Sequence, residues 1–307
     1  MPAALFGKGH RFLRREAQLD FEEIARVVAA AVGLGVRKVR LTGGEPLLRS
    51  GLSELVARLR PLVPDLALTT NGLALAHQAS ALRSAGLSRI TISLDSLDPA
   101  RFARLSGVGA SLNRVLSGLA AARAAGFAEI KINTVVRREN LEEVEALARH
   151  FRGSGIIVRF IEFMDVGGAS DWSMGEVVPA RVIRERLGRV GQLVPVRSAG
   201  VARDQVAEVY RWADGSGEVG LIAAVSEPFC RDCVRLRLLA DGTLYGCLFA
   251  SEGVSLRPLL RSGASVPALM ERLRLLWLAR EDRYSELRGQ PALVSLGPKV
   301  SMSTVGG

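Results

Sequence analysis

Histidine, cysteine, lysine and aromatic side chains are all scarce in this 307-residue chain, and each scarcity removes a class of explanation. The histidines are His10, His77 and His150, all distant in sequence from the cysteines. Lysine occurs only at Lys8, Lys38, Lys131 and Lys299, so arginine carries nearly all the basicity, an excess that reflects genomic bias more than function. The arginines are dispersed, without a block of five or more and without interleaved aromatics, which argues against a dedicated nucleic-acid groove. No run of eighteen apolar residues and no secretory signal is present, so a soluble, cytoplasmic protein with no membrane partner is expected. Internal repeats and low-complexity tracts are absent too.

What is present is concentrated. All three cysteines, Cys230, Cys233 and Cys247, fall in one stretch spaced Cys-x2-Cys-x13-Cys. Three thiolates are one ligand short of a closed tetrahedral site, and with no fourth cysteine the last position goes to a non-protein group. An iron–sulfur cluster with one reactive iron is the expectation. Zinc with a histidine brought in by folding is an alternative, as are unligated buried thiols. A structural disulfide would leave an odd thiol and require an oxidising compartment.

The 48% apolar composition and the length suit one large domain and a smaller one, divided as residues 1–167 and 168–307. A net charge of +10 attracts anions without choosing among nucleic acid, membrane phosphate and nucleotide. Up to about residue 165, short β-branched runs alternate with amphipathic helical patterns, the mark of βα units around a parallel sheet. Strands are expected at 37–41, 66–70, 89–94, 129–136 and 156–162, with helices near 51–62, 73–85, 112–125 and 140–153. A first helix over 20–34 has no strand before it. Asp20-Phe21-Glu22-Glu23 and Asn140-Leu141-Glu142-Glu143 both read as capping boxes. Beyond residue 168, Pro179 starts a helix, followed by strands near 193–198, 206–211, 218–223, 234–239 and 243–247. The fold class expected is α/β, a partial (β/α) barrel lacking its first strand, followed by a smaller α+β domain that carries the cysteines.

Within the first five strands one parity is polar. Arg40, Thr69, Ser93, Lys131 and Arg159 alternate with branched aliphatics, and side chains alternate faces along a strand. If the aliphatics pack beneath helices, the polar set lines an open, wet, cationic cavity rather than a filled barrel interior. Thr42-Gly43-Gly44-Glu45-Pro46 follows the first strand at a carboxyl end, where α/β folds bind ligands; its glycines admit close backbone approach and Glu45 suits an ammonium group.

Taken together, Arg40-Leu41-Thr42-Gly43-Gly44-Glu45-Pro46-Leu47, Thr69-Thr70-Asn71-Gly72, Ser93-Leu94-Asp95-Ser96-Leu97, Lys131-Ile132-Asn133-Thr134-Val135, Arg159-Phe160-Ile161-Glu162 and Cys230-x2-Cys-Val-Arg-Leu-Arg resemble the radical S-adenosylmethionine GTP cyclase family that begins molybdenum cofactor synthesis. The resemblance runs almost the whole length, to Gly306-Gly307. It implies that Gly44, Ser93 and Met164 hold S-adenosylmethionine, with Glu45 facing its amino group, and that Arg40, Thr69, Lys131, Arg235 and Arg237 contact GTP. It assigns Cys230, Cys233 and Cys247 to an auxiliary four-iron cluster whose open iron meets the guanine, and a tail ending in Gly306-Gly307 to the active site. The implied reaction is reductive cleavage of S-adenosylmethionine, hydrogen abstraction from the GTP ribose and cyclisation to a pterin precursor. No side chain stands out as a general acid or base. An electron donor and the next enzyme of the molybdopterin pathway are the implied partners, and a homodimer is admitted.

The family's Cys-x3-Cys-x2-Cys loop, which binds the cluster that splits S-adenosylmethionine, is absent here. Met1-Pro2-Ala3 resembles the residues just after that loop, so an opening strand and an early arginine are expected to be cut off, by a misplaced start or a truncated record. The second four-iron cluster belongs to the full-length protein only, and the chain as written is expected to be inactive. The rival expectations are a noncatalytic GTP- or cluster-binding remnant and a zinc-bearing nucleic-acid binder.

Overall fold

A computed structural model describes residues 13–107, 110–166, 172–196 and 206–288. Met1-Pro2-Ala3, His10 and Gly306-Gly307 lie outside the described residues.

The chain alternates strand and helix as its period pattern predicts. Helix α1 (Phe21–Gly33) precedes strand β1 (Lys38–Leu41), followed by α2 (Leu52–Leu59), β2 (Asp65–Thr70), α3 (Ala79–Ser84), β3 (Arg89–Ser93), α4 (Pro99–Ser106), α5 (Leu112–Ala124), β4 (Glu129–Val136), α6 (Glu143–Phe151) and β5 (Ile157–Glu162). Helix α7 (Ala180–Gly188) leads to β6 (Leu193–Pro195), β7 (Glu208–Trp212) and β8 (Glu218–Ile222). After these come β9 (Arg237–Leu238), β10 (Thr243–Tyr245), β11 (Val254–Ser255), α8 (Arg257–Arg261), α9 (Val266–Leu278) and α10 (Tyr284–Leu287).

One eight-stranded sheet has the order β1-β2-β3-β4-β5-β8-β7-β6. Strands β1 to β5 are parallel, β8 adds a sixth parallel strand beside β5, and β7 and β6 close the edge antiparallel. The sheet therefore continues past residue 167. The aliphatic parity of the strands, Leu66, Leu68, Ile90, Ile92, Ile130 and Ile132 among them, is buried in the largest core under the helices. Full burial of one such side chain contributes about 1.5–3 kcal/mol, which fixes which face turns inward. Strands β9 to β11 form a separate antiparallel sheet, and Leu244 of β10 shares a second core with Val27 of α1 and Leu269 of α9. Helix α1 thus packs on both halves of the chain.

The capping box at Asp20 forms: Asp20 Oδ1 accepts the Glu23 N–H at 2.7 Å and Glu23 Oε2 accepts the Asp20 N–H at 2.8 Å. The one expected at Asn140 does not. Helix α6 begins at Glu143, while Asn140 is pulled inward, accepting the Arg137 N–H at 2.7 Å and donating to the carbonyls of Asp95 and Val135 at 3.0 and 2.9 Å. Three backbone groups thus engage the Asn140 side chain, where a helix cap would engage one. The helix expected over 73–85 is a 3-10 turn at Leu75–His77 followed by α3, and the strand expected at 234–239 is only Arg237–Leu238. Among the described residues no helix is long and apolar enough to cross a membrane.

Candidate functional site

The polar parity of β1 to β5 occupies the sheet face opposite the helices. Arg40 donates from Nη1 to the hydroxyls of Thr69 and Thr91, at 2.8 and 3.1 Å. From the other side Arg159 donates to Asn133 Oδ1 at 2.9 Å and reaches Thr91 Oγ1 at 3.4 Å, so the buried Thr91 hydroxyl stands between two guanidiniums. Gly220, paired with Arg159 in the register of β5 and β8, leaves room for it: a Cβ there would meet Arg159 Cγ at 3.0 Å. Burial pushes both guanidiniums below their ordinary range, and like charges nearby push the same way; Arg159 falls to about 10. Guanidiniums stay charged in proteins, and two desolvated ones with no directly bonded carboxylate among the described residues form a ready anion site.

Lower on the same face runs a row of alternating charge. Lys38 lies 3.8 Å from Asp65, Arg89 joins Asp65 to Glu129, and Lys131 Nζ is 3.0 Å from Glu129 Oε1. Lys131 is therefore inward-facing but ion-paired. Burial lowers its pKa against the opposing pull of Glu129. Asp65, Arg89 and Glu129 were legible in principle, because they share the strand parity of Thr69, Thr91 and Lys131.

At the carboxyl ends of the strands, Gly43 adopts φ +125°, a conformation that favours glycine, and lets the chain turn out of β1. Glu45 closes that loop onto β2: its carboxylate accepts the Leu47 N–H at 3.0 Å, the Thr70 hydroxyl at 2.6 Å and the Asn71 N–H at 2.7 Å. Gly44 lies in this fixed loop, and Ser93 ends β3 two strands away. Asp95, just beyond, accepts the Val135 N–H at 2.8 Å, and burial pushes its carboxyl up to about 6 against that hydrogen bond. Glu162 ends β5 fully buried, accepting the N–H groups of Ala180, Val225 and Ser226 at 2.6, 2.7 and 2.8 Å and the Ser226 hydroxyl at 2.5 Å. It ties β5 to α7 and to the loop that leads toward Cys230. The sequence motif contained Asp95 and Glu162 without revealing these roles.

Met164 packs between two small apolar clusters, one with Tyr245, Leu248, Phe249 and Cys247, the other with Ile161, Ile222 and Phe229. It thus links the barrel's last motif to the cysteine region. Cys230 and Cys233 occupy one 3-10 turn, and Cys247 lies within electrostatic range of Cys233. All three thiols are free and half-buried. Arg235 donates to Cys233 Sγ at 3.4 Å while its guanidinium sits 5.3 Å from the Phe229 ring centroid. Burial and Arg235 lower the guanidinium of Arg237 to about 10, and the thiolates of Cys233 and Cys247 oppose this. Among the described residues no trio of cysteine, histidine, aspartate or glutamate is drawn together closely enough to grip a metal ion as it stands. The donor set still fits an iron–sulfur cluster: three free, half-buried thiols, with Arg235 donating to one of them and able to compensate a thiolate.

Two family models match in tandem, Radical SAM superfamily over residues 6–151 and Molybdenum Cofactor Synthesis C over residues 156–286. The GTP 3',8-cyclase of Xanthomonas axonopodis pv. citri is 49% identical over 295 residues, covering 95% of this chain and 86% of the relative. That of Acidothermus cellulolyticus is 50% identical, covering 94% and 81%, and that of Staphylococcus saprophyticus 37% identical, covering 100% and 91%. In fold, the chain is similar to Streptococcus suis SuiB solved with S-adenosylmethionine, with a TM-score of 0.50 and 20% identity over 59% of this chain and 41% of that one. On these relatives, the chain belongs to the GTP 3',8-cyclase family of radical S-adenosylmethionine enzymes.

Proposed function

We propose that this chain binds GTP on the inward cationic face of its sheet, S-adenosylmethionine at the loop after β1, and a 4Fe–4S cluster on Cys230, Cys233 and Cys247, as the GTP 3',8-cyclase of the first step of molybdopterin synthesis. The observation that carries this is the pair of desolvated guanidiniums, Arg40 and Arg159, converging on Thr91 with no directly bonded carboxylate among the described residues. Arg40, Thr69 and Lys131 contact the triphosphate from the barrel side, and Arg235 and Arg237 from the cysteine side. Glu45 keeps Gly44 presented while its own carboxylate stays with the loop, so the amino group of S-adenosylmethionine meets the loop backbone as much as the Glu45 side chain. Ser93 and Met164 complete that subsite. When bound, the auxiliary cluster supplies an open iron for the guanine. The protein's part is to orient two substrates and exclude water from the space between them.

All three thiols stand in the Cys230–Cys247 stretch, so they are assigned to the auxiliary cluster alone. Turnover would need a second cluster to cleave S-adenosylmethionine, an electron donor and a following enzyme to take the product, all in the cytoplasm. Calorimetric titration of GTP tests the site. Arg40→Met is expected to weaken binding about tenfold to a hundredfold, as loss of a charge-assisted hydrogen bond does; unchanged affinity would remove GTP from this face.

A further inference from the structure

Residues 280–288 run past every cysteine of the site. Arg280 Nη1 donates to the Cys233 carbonyl at 2.7 Å, and its Nε lies 3.6 Å from Asp282 Oδ2. Asp282 stands where a side chain at position 246 would go: a Cβ on Gly246, the neighbour of Cys247, would meet its Oδ2 at 2.6 Å. Tyr284 stacks on Phe249, ring centroids 4.7 Å apart, and the Phe249 N–H points at Cys247 Sγ from 3.5 Å. Glu286 accepts the N–H of Arg231, the neighbour of Cys230, at 3.2 Å. Arg288, 6% exposed, lies 2.8 Å from Asp165 Oδ1 and donates to it from Nε at 2.9 Å, while the Tyr284 hydroxyl bonds the other carboxylate oxygen. The same guanidinium lies 5.4 Å from the Phe249 ring and 5.5 Å from that of Tyr284. Every second residue from 280 to 288 makes one of these contacts, and the last reaches the residue after Met164.

We infer that residues 280–288 are a positioning strap, which sets the spacing of Cys230, Cys233 and Cys247 and, through the Asp165–Arg288 pair, locks that spacing to the Met164 end of the barrel. This rests on the proposal that the three thiols hold a cluster. The physical basis is the cost of separating the two ends. A buried ion pair that also carries a phenol hydrogen bond and an aromatic stack opens rarely, whereas two-residue strands such as β9 and β11 are too short to hold thiol geometry alone.

The test begins with iron-free, reduced protein, in which the rate of iodoacetamide alkylation is read separately at Cys230, Cys233 and Cys247 by peptide mass spectrometry. Two variants that change no thiol and no group hydrogen-bonded to one are compared with the parent: Tyr284→Phe, which keeps the ring on Phe249 and removes the hydroxyl on Asp165, and the double change Asp165→Asn with Arg288→Met, which removes both charges so that neither is left unpaired. Both are expected to raise the Cys247 rate about fivefold to tenfold relative to Cys230. After anaerobic reconstitution they are expected to retain less iron than the parent. Alkylation ratios equal to the parent's in both variants would overturn the strap. If the double variant does not fold, Tyr284→Phe decides alone. A parent that takes up no iron would refute the cluster and leave the alkylation result to judge the strap.

Discussion

The Glu45 carboxylate receives the backbone N–H of Asn71 at 2.7 Å, fastening the turn after β1 to the turn after β2. With the Thr70 hydroxyl and the Leu47 N–H also directed at it, the group is an anchor for the ligand loop. Glu45→Ala leaves two backbone donors and a hydroxyl unmatched at the strand ends. It is expected to lower stability by about 2–4 kcal/mol, read as a shift of the urea midpoint. Glu45→Gln, which keeps an acceptor oxygen, is expected to lose about half as much. Equal stability of all three proteins would show that the loop does not depend on this carboxylate.

Gly220 shapes the anion face from β8, whose one charged residue, Glu218, is paired with Arg211. Gly220→Ala brings a methyl to 3.0 Å from Arg159 Cγ, so the Arg159 side chain must shift by a few tenths of an ångström and its bond to Asn133 is loosened. A destabilisation of about 1 kcal/mol is expected, together with weaker GTP binding by about threefold to tenfold in calorimetry. GTP affinity equal to the parent's would mean that Arg159 takes no part.

Asp95 gives a pH signature. Its folded pKa, about 6, lies above its ordinary carboxylate value of 3.8 because burial disfavours the charge. Between these two values the folded chain holds a proton that the unfolded chain releases, so stability falls as pH rises from about 4 to about 6 and stays lower above that. The contribution is about 1–2 kcal/mol once partial exposure of the residue is allowed for. Asp95→Asn keeps an acceptor for the Val135 N–H and is expected to flatten this slope and to be the more stable protein at pH 7.5. Urea denaturation at pH 4.5 and 7.5 measures both effects; an unchanged slope in the variant would clear Asp95 of responsibility.

What was legible in the sequence is what repeats locally. Ile130-Lys131-Ile132 and Ile92-Ser93-Leu94 declared both faces of their strands, because period-two alternation is set by burial on one side only. Asp20 declared its helix for an equally local reason. Hidden were the interactions whose partners come from far along the chain. Nothing in Glu218–Ile222 tells that β8 joins β5 in parallel. Glu162 reads as a surface charge until Ala180 and Ser226 supply its donors. Asn140 looks like a helix cap and instead serves Asp95 and Val135. Helix α9, which the strand-rich reading of the second half does not anticipate, was marked by Ser265 before Pro267, and its Ser265 side chain does accept the Ala268 N–H.

Anaerobic reconstitution with iron and sulfide, followed by iron counting and electron paramagnetic resonance of the dithionite-reduced protein, probes the three thiols most directly. About four irons per chain and a brown protein are predicted, with Cys247→Ser retaining far less. A colourless parent chain that emerges loaded with zinc would contradict the cluster on Cys230, Cys233 and Cys247.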